Sequence, residues 1–476
     1  MEDNMMDQDG SQTYPVADAE DDVVDGVADF IDMKDAVEVR VDDDLPMEEE
    51  DEDNGVLDRG SNDDGGGEGQ VESNIPDMSN FQLKSHTDSV YAVASVVENG
   101  QLSILSGGGD DKAFQYTISD ANDKRSTAVT PLPYAHTDTV SSVAYNIQYV
   151  GSDPKKTPKL AAVGSYDGSI VIYDPDTGAQ RLKLEGPSDV EWMSFHPKGG
   201  TVLLVGSGDG TLWMFHIPLN RCMQVFVGHE QAVTAGCFSP DGKWALSVSS
   251  DGTLRIWAPK TGLNKHVFRL GEGGLTCMAN NGGSDGMLVI AGSEDGQAHV
   301  CHIGSKKVVA TLRHFELPAT TETADNDNDE EMEYPMSVEA VGFSPAQPNW
   351  CATGGVDGKV KIWDLARDGQ CRQVCIHTNN TSADGITRIS WHPNLPFVFV
   401  ATISGTVRVW DARNGNLLHT LTGGSTDQIN DMNVLFLPNG SAVIVTASDD
   451  HVVRVFELDV DALTHPPTPT DTSMQS

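Results

Sequence analysis

The stretch GHEQAVTAGCFSPDGKWALSVSSDGTLRIW, residues 228–257, holds three short apolar runs punctuated by turns. It opens on Gly228-His229, passes a Ser-Pro-Asp-Gly turn and then a Ser-Asp-Gly turn, and ends in Trp257. Runs of this length, β-branched or aromatic in character and bounded by Gly, Pro and Asp, read as consecutive antiparallel strands. The stretch is therefore one blade unit of a β-propeller.

The unit repeats. A turn Asp six residues before an aromatic or similar residue aligns Asp110 with Tyr116, Asp167 with Tyr173, Asp209 with Phe215, Asp251 with Trp257, Asp295 with Cys301, Asp357 with Trp363 and Asp450 with Phe456. Ser404 and Trp410 complete the series with Ser in place of Asp. The turns are 57, 42, 42, 44, 62, 47 and 46 residues apart. The first long gap contains the loop at 151–158, and the other contains an acidic low-complexity loop at 319–335. These eight units predict an all-β WD40-type propeller of eight blades, falling to seven if the degenerate fifth unit, GSEDGQAHVC, forms no blade.

The fourth unit carries the full polar signature of such a blade. His229, Ser247, Asp251 and Trp257 stand where such a blade builds a buried hydrogen-bonded chain from the loop His through Asp to the Ser hydroxyl and the indole N–H. His86, Ser106, Asp110 and Tyr116 nearly match it, whereas the second unit keeps His136, Asp167 and Tyr173 but has Val163 at the hydroxyl position. Groups that tie strands together are structural rather than catalytic. In this repeat type the sequence unit is offset from the blade. Residues 81–84 should accordingly supply the outer strand of the last blade, beside three strands between 429 and 456, and so close the ring and protect its edge.

Charge divides the chain unevenly. Of 72 acidic residues, 28 lie in residues 1–80 with only 3 of the 30 basic ones, and the net charge is −42. Residues 1–78 are too acidic and too poor in aromatics to bury a core, so they read as a disordered tail. Small apolar clusters at 23–31 and 36–41 could be transient helix or a docking motif. The propeller is expected at 79–458, followed by a flexible C-terminal tail at 459–476 in which Thr468-Pro469 has the form of a proline-directed phosphosite. So acidic a surface disfavours direct nucleic-acid binding and favours basic partners.

Seven cysteines without paired spacing point to a reducing compartment and to buried small side chains rather than metal ligands. There is no leader-like N-terminus and no apolar run of membrane-spanning length. A cytoplasmic protein, with a nuclear pool as a second option, is expected, a monomer without membrane insertion, metal or cofactor. No Gly-x-Ser-x-Gly elbow, phosphate loop or HExxH motif is present, so the sequence does not read as an enzyme.

Several stretches are more specific than the repeat itself. HTDSVYAV at 86, SGGGDDKAFQY at 106, GPSDVEWMSFHPKG at 186, SDGTLRIW at 250 and GSEDGQAHV at 292, with the acidic insertion before the sixth unit, occur in one order in one family. Over about residues 76–458 the chain resembles the angio-associated migratory cell protein family, including its fungal relative, a dedicated chaperone of a large-subunit ribosomal protein. The chain departs at Gln115-Tyr116 and at Phe215, where tryptophan is common in such repeats. The resemblance implies two functions. The fungal member captures the basic N-terminal segment of a nascent ribosomal protein and escorts it to the pre-60S particle, and the animal member is linked with cell migration, angiogenesis and receptor signalling.

A propeller of this kind binds partners on the face that carries the turns entering the innermost strands and the tight turns before the third strands. The positions pointing there are Ser89 and Tyr91, Thr139 and Ser141, Asp189 and Glu191, Ser337 and Glu339, with Tyr166, Glu294 and Asp449 from the tight turns. Five are carboxylates and none is Lys or Arg. Acids beside Tyr91 and Tyr166 suit an extended Arg- and Lys-rich peptide through charge-assisted hydrogen bonds and cation–π contacts. The competing reading is that an acidic protein places acids everywhere, since residues 81–476 hold 44 acidic against 27 basic side chains. Trp192 is expected in the core and Trp213, off the aromatic register, partly exposed.

Overall fold

The computed structural model describes residues 75–121, 124–146, 159–282, 287–315, 336–377 and 384–464, with backbone alone at 120, 121, 124 and 125. Most of the acidic tail, the acidic loop at 319–335 and Thr468 lie outside the described residues. The rest forms eight four-stranded antiparallel sheets. The innermost strand of each sheet packs on that of the next, and the last packs on the first, so the sheets close into a ring. This is an eight-bladed propeller. The degenerate fifth unit builds a complete blade, from Leu275–Asn280 to Lys307–Arg313.

The ring closes as the offset of the repeat requires. Phe81–Leu83 pairs antiparallel with Val453–Asp459, Phe81 opposite Val455 and Leu83 opposite Val453, which makes the N-terminal strand the outer edge of blade 8. Packing extends past both sequence-based boundaries. Met78 N donates to the Thr422 carbonyl at 2.8 Å, and a short helix, Val460–Thr464, follows blade 8 with Val460 buried.

Each of the eight junctions between blades holds one apolar cluster. Leu246, Val248 and Leu254 meet Leu275 and Val289 between blades 4 and 5, for example, and Val443, Val445 and Val455 meet Ile104 and Phe114 between blades 8 and 1. The second strands are buried on both faces, as in Leu203, Leu204 and Val205, so one residue serves one junction and the next serves the other. Each fully buried aliphatic side chain contributes about 1.5–3 kcal/mol to the junction it fills. Trp213 belongs to this core and is only 8% exposed, which corrects the expectation of an exposed indole. It stacks on Phe215 and fills a hollow over Gly186, where a Cβ would come within 2.5 Å of the ring. Trp192 is half-buried on the inner strand of blade 3.

The polar signature is complete in blade 4. Trp257 Nε1 donates to Ser247 Oγ at 2.8 Å, Ser247 Oγ meets His229 Nε2 at 2.8 Å, and His229 Nδ1 meets Asp251 Oδ2 at 2.9 Å. Histidine, not aspartate, thus meets the hydroxyl, which corrects the expected order: the imidazole has two ring nitrogens and bridges Ser247 and Asp251. Because the carboxylate only accepts, Nδ1 carries the proton. In blade 1, His86 bridges Ser106 at 2.7 Å and Asp110 at 2.9 Å. In blade 2, Val163 removes the hydroxyl and leaves His136 Nε2 buried without a partner. Blade 6 holds a set that the sequence reading missed: Trp363 Nε1 donates to Thr353 Oγ1 at 2.8 Å, and His314 bridges Thr353 at 2.7 Å and Asp357 at 3.1 Å. Blade 7 exchanges the parts. Asp384 sits where histidine would, accepts from Ser404 Oγ at 2.7 Å, and pairs with the buried Arg408.

Candidate functional site

One backbone hydrogen bond defines the face that carries the candidate residues. In seven blades the N–H of the residue before the turn position donates to a carbonyl in the loop that enters the inner strand. Examples are Gly109 to Ser89 at 2.8 Å, Tyr166 to Thr139 at 3.0 Å, Glu294 to Gly274 at 2.9 Å, Val356 to Ser337 at 3.1 Å and Asp449 to Gln428 at 3.0 Å. In blade 3 the Asp189 carboxylate takes that role and accepts from Gly208 N at 2.5 Å and from Ser207 Oγ at 2.7 Å. Loop and tight turn are thereby locked side by side around the ring, so their side chains share one face.

The equivalent position at the start of each inner strand, in it or one residue before it, has two uses. In four blades its side chain donates to the carbonyl that opens the next blade: Ser141 to Val190, Thr234 to Leu275 at 2.6 Å, Thr276 to Val338 and Asn430 to Val90 at 3.0 Å. Trp192 makes the equivalent bond from blade 3, to the Val233 carbonyl at 2.8 Å, and so releases the preceding Glu191. Between blades 7 and 8 the bond is replaced by Arg388 pairing with Asp431 at 2.9 Å. Tyr91, Glu191, Glu339 and Thr387 make no such bond, and the Thr387 hydroxyl stays buried without a partner among the described residues. Tyr91, Glu191 and Glu339 are the positions where a larger ring or carboxylate stands in place of a hydroxyl or amide that holds the ring together.

The acids expected on this face separate accordingly. Asp449 accepts from Asn430 Nδ2 at 2.7 Å and orients that inter-blade bond, and Glu294 folds back to accept from Gly274 N at 3.2 Å. Glu339, on blade 6, lies near Cys277 and is not among the charges that act on Tyr166. Blades 1 to 3 instead bring Tyr91, Tyr166, Asp189 and Glu191 together. Tyr91 and Tyr166 are each 42% exposed, large for rings with an apolar face. Gly208 lies beside both acids of blade 3, since a Cβ there would fall 2.6 Å from Asp189 Oδ2 and 3.2 Å from Glu191 Oε1.

The electrostatics of this cluster are one-sided. Partial burial, and then the neighbouring Asp189 charge, raise the Glu191 carboxyl above the ordinary range, with the Tyr166 hydroxyl as its hydrogen-bonding partner. The Tyr166 phenol is pushed up to about 12 by burial and then by Glu191 and Asp189, with Tyr91 and Asp138 adding to it. Two acids join that the sequence reading passed over. Asp138 acts on Tyr166, and Asp88 flanks Gly109 together with the Tyr91 ring. The signal for both was the shared His-Thr-Asp at 86–88 and 136–138. No cation among the described residues pairs with Asp189 or Glu191, so a guanidinium or ammonium placed between the two tyrosines would meet uncompensated carboxylates at an aromatic wall.

Comparison with known proteins gives this arrangement a family. The model of the WD domain, G-beta repeat, matches residues 220–258 and 335–364, and that of the anaphase-promoting complex subunit 4 WD40 domain matches residues 357–437. The crystal structure of Sqt1 from Saccharomyces cerevisiae superposes with a TM-score of 0.65 at 17% identity, over 81% of this chain and 100% of that one. Sqt1 from Chaetomium thermophilum, solved bound to the N-terminus of the ribosomal protein L10, superposes with a TM-score of 0.60 at 20% identity, over 80% of this chain and 100% of that one. At these identities the likeness is one of fold. The human angio-associated migratory cell protein is 34% identical over 384 residues, 80% of each chain. With identity of that extent, joined to an eight-bladed ring of WD repeats, the chain belongs to the angio-associated migratory cell protein family.

Proposed function

We propose that this protein is a non-enzymatic chaperone that holds the basic N-terminal segment of a large-subunit ribosomal protein during assembly of the 60S subunit. The observation that carries the reading is the half-buried Glu191–Asp189 pair, flanked by Tyr91 and Tyr166 and lacking a cation of its own. Ionised carboxylates held together at partial burial gain most from a ligand that brings positive charge, and aromatic faces add cation–π attraction for Arg and Lys. The Sqt1 structure with the L10 N-terminus supports the choice of ligand, because the ring that binds there has the same fold. On this reading the protein acts as a monomer and releases its client at the pre-60S particle.

The test is fluorescence anisotropy of a labelled L10 N-terminal peptide added to the full-length protein. Binding is expected at low salt and should weaken steeply between about 50 and 300 mM salt, as screening shortens the reach of the carboxylates. Absence of binding at low salt would remove the proposal.

A further inference from the structure

Blades 4 and 5 mass positive charge on their outer edge. Lys260 stands in the turn after the third strand of blade 4, and Lys306 in the equivalent turn of blade 5. Lys265 and Arg269 lie on the outer strand Asn264–Arg269, and Lys307 and Arg313 on Lys307–Arg313. All six are exposed. Among the described residues none of them forms an ion pair, although the whole chain has a net charge of −42. The two edges adjoin, since Lys306 Nζ donates to the Lys265 carbonyl at 3.3 Å. The described acids between residues 258 and 315, which are Glu272, Glu294 and Asp295, lie on or beside the turns of the acidic face instead. Val308, Val309 and Leu263, 45%, 50% and 58% exposed, sit among the bases.

We propose that the acidic run DDDLPMEEEDED, residues 42–53 of the same chain, docks on this rim. Its charge is complementary, and its Leu45 and Met47 lie between acids as the exposed apolar residues lie between bases. The chain leaves the propeller next to Gly423, at the end of the outer strand of blade 7, where Asp77 forms a bridge. Residues 54–74 span up to about 70 Å when extended, enough to reach across a domain whose width is roughly 50 Å. An external polyanion must approach a strongly negative molecule, whereas the tail is tethered at high effective concentration. The rim and the tail thus form an internal charge pair on a different part of the ring from the acidic-aromatic cluster.

Carbodiimide cross-linking of the full-length protein, read by peptide mass spectrometry, tests this. Links are expected from the carboxylates of residues 42–53 to Lys265, Lys306 or Lys307, falling about fivefold or more near 1 M salt, where charges are screened within about 3 Å. The tail should lose its links to this rim in the Lys265→Gln, Lys306→Gln, Lys307→Gln variant, and an unchanged melting curve would show that the variant folds. Tail links to Lys84, Lys112 or Lys198 instead, links only between isotopically distinct chains, or no tail links would overturn the proposal. Binding of poly(U) that the triple variant loses, without tail links, would assign the rim to nucleic acid and overturn it as well.

Discussion

Blades 4 and 5 and blades 1 and 3 enter the same face with equivalent positions and use them differently. Thr234 and Thr276 donate to the carbonyl of the next blade and are used up in holding the ring. Tyr91 and Glu191, at the equivalent position, make no such bond and stand beside Tyr166 and Asp189. On the proposed reading, the ring and the carboxylate that replace a small hydroxyl at Tyr91 and Glu191 serve the ligand rather than the ring. Composition alone could not make this distinction, because an acidic chain carries acids at neutral positions too.

Asp189 is the residue that belongs to both groups, and it should show the largest effect. Asp189→Ala removes the acceptor of Ser207 Oγ and Gly208 N. It should lower stability by about 1–3 kcal/mol in urea melts, the usual cost of stranding a polar group, and weaken peptide binding as well. If stability is unchanged, the assignment of Asp189 to the turn is wrong. Glu191→Lys should weaken the peptide by at least about tenfold, roughly 1.4 kcal/mol, at constant fold. Thr234→Val should give the reverse pattern, with stability lower by about 1 kcal/mol and affinity unaltered. A loss of affinity in Thr234→Val would dissolve the contrast between the two sets of blades.

The smallest effect is in pH. The folded state holds the Glu191 carboxyl above its ordinary range, so it disfavours the ionised form. The stability linked to this group is present at low pH and is lost as pH rises through the folded titration. Glu191→Gln should therefore gain on the parent in melting temperature as pH rises from about 4 to 7. The histidines act with the opposite sign. His86, His229 and His314 are held below their ordinary range, chiefly by burial, so their contribution is complete above about pH 6.5 and is lost on acidification.

Much of the architecture was legible because it is written in local chemistry. The turn Asp spacing yields eight units, and the offset of the repeat places residues 81–84 on blade 8. What stayed hidden depends on distance along the chain or on partners from other blades. His314 serves Asp357 from 43 residues upstream, across the acidic insertion, and reads as an isolated histidine. Ser404 looks like a lost aspartate until Asp384, standing where histidine would, is seen to supply the carboxylate that accepts from Ser404 and pairs with Arg408. Trp213 reads as exposed because its seat, the hollow over Gly186, is made by a residue 27 positions earlier. The side-chain bonds between blades cannot be read from one repeat at all, since each acceptor carbonyl belongs to the next.

The central claim is that the acidic-aromatic cluster of blades 1 to 3 is a binding site for a basic peptide. The most direct measurement is the affinity of the L10 N-terminal peptide for the parent protein, Glu191→Lys and Thr234→Val, side by side at low and moderate salt. Salt-sensitive binding that falls at least about tenfold in Glu191→Lys and is kept in Thr234→Val is the result expected. Equal affinity in all three, or binding indifferent to salt, would contradict it.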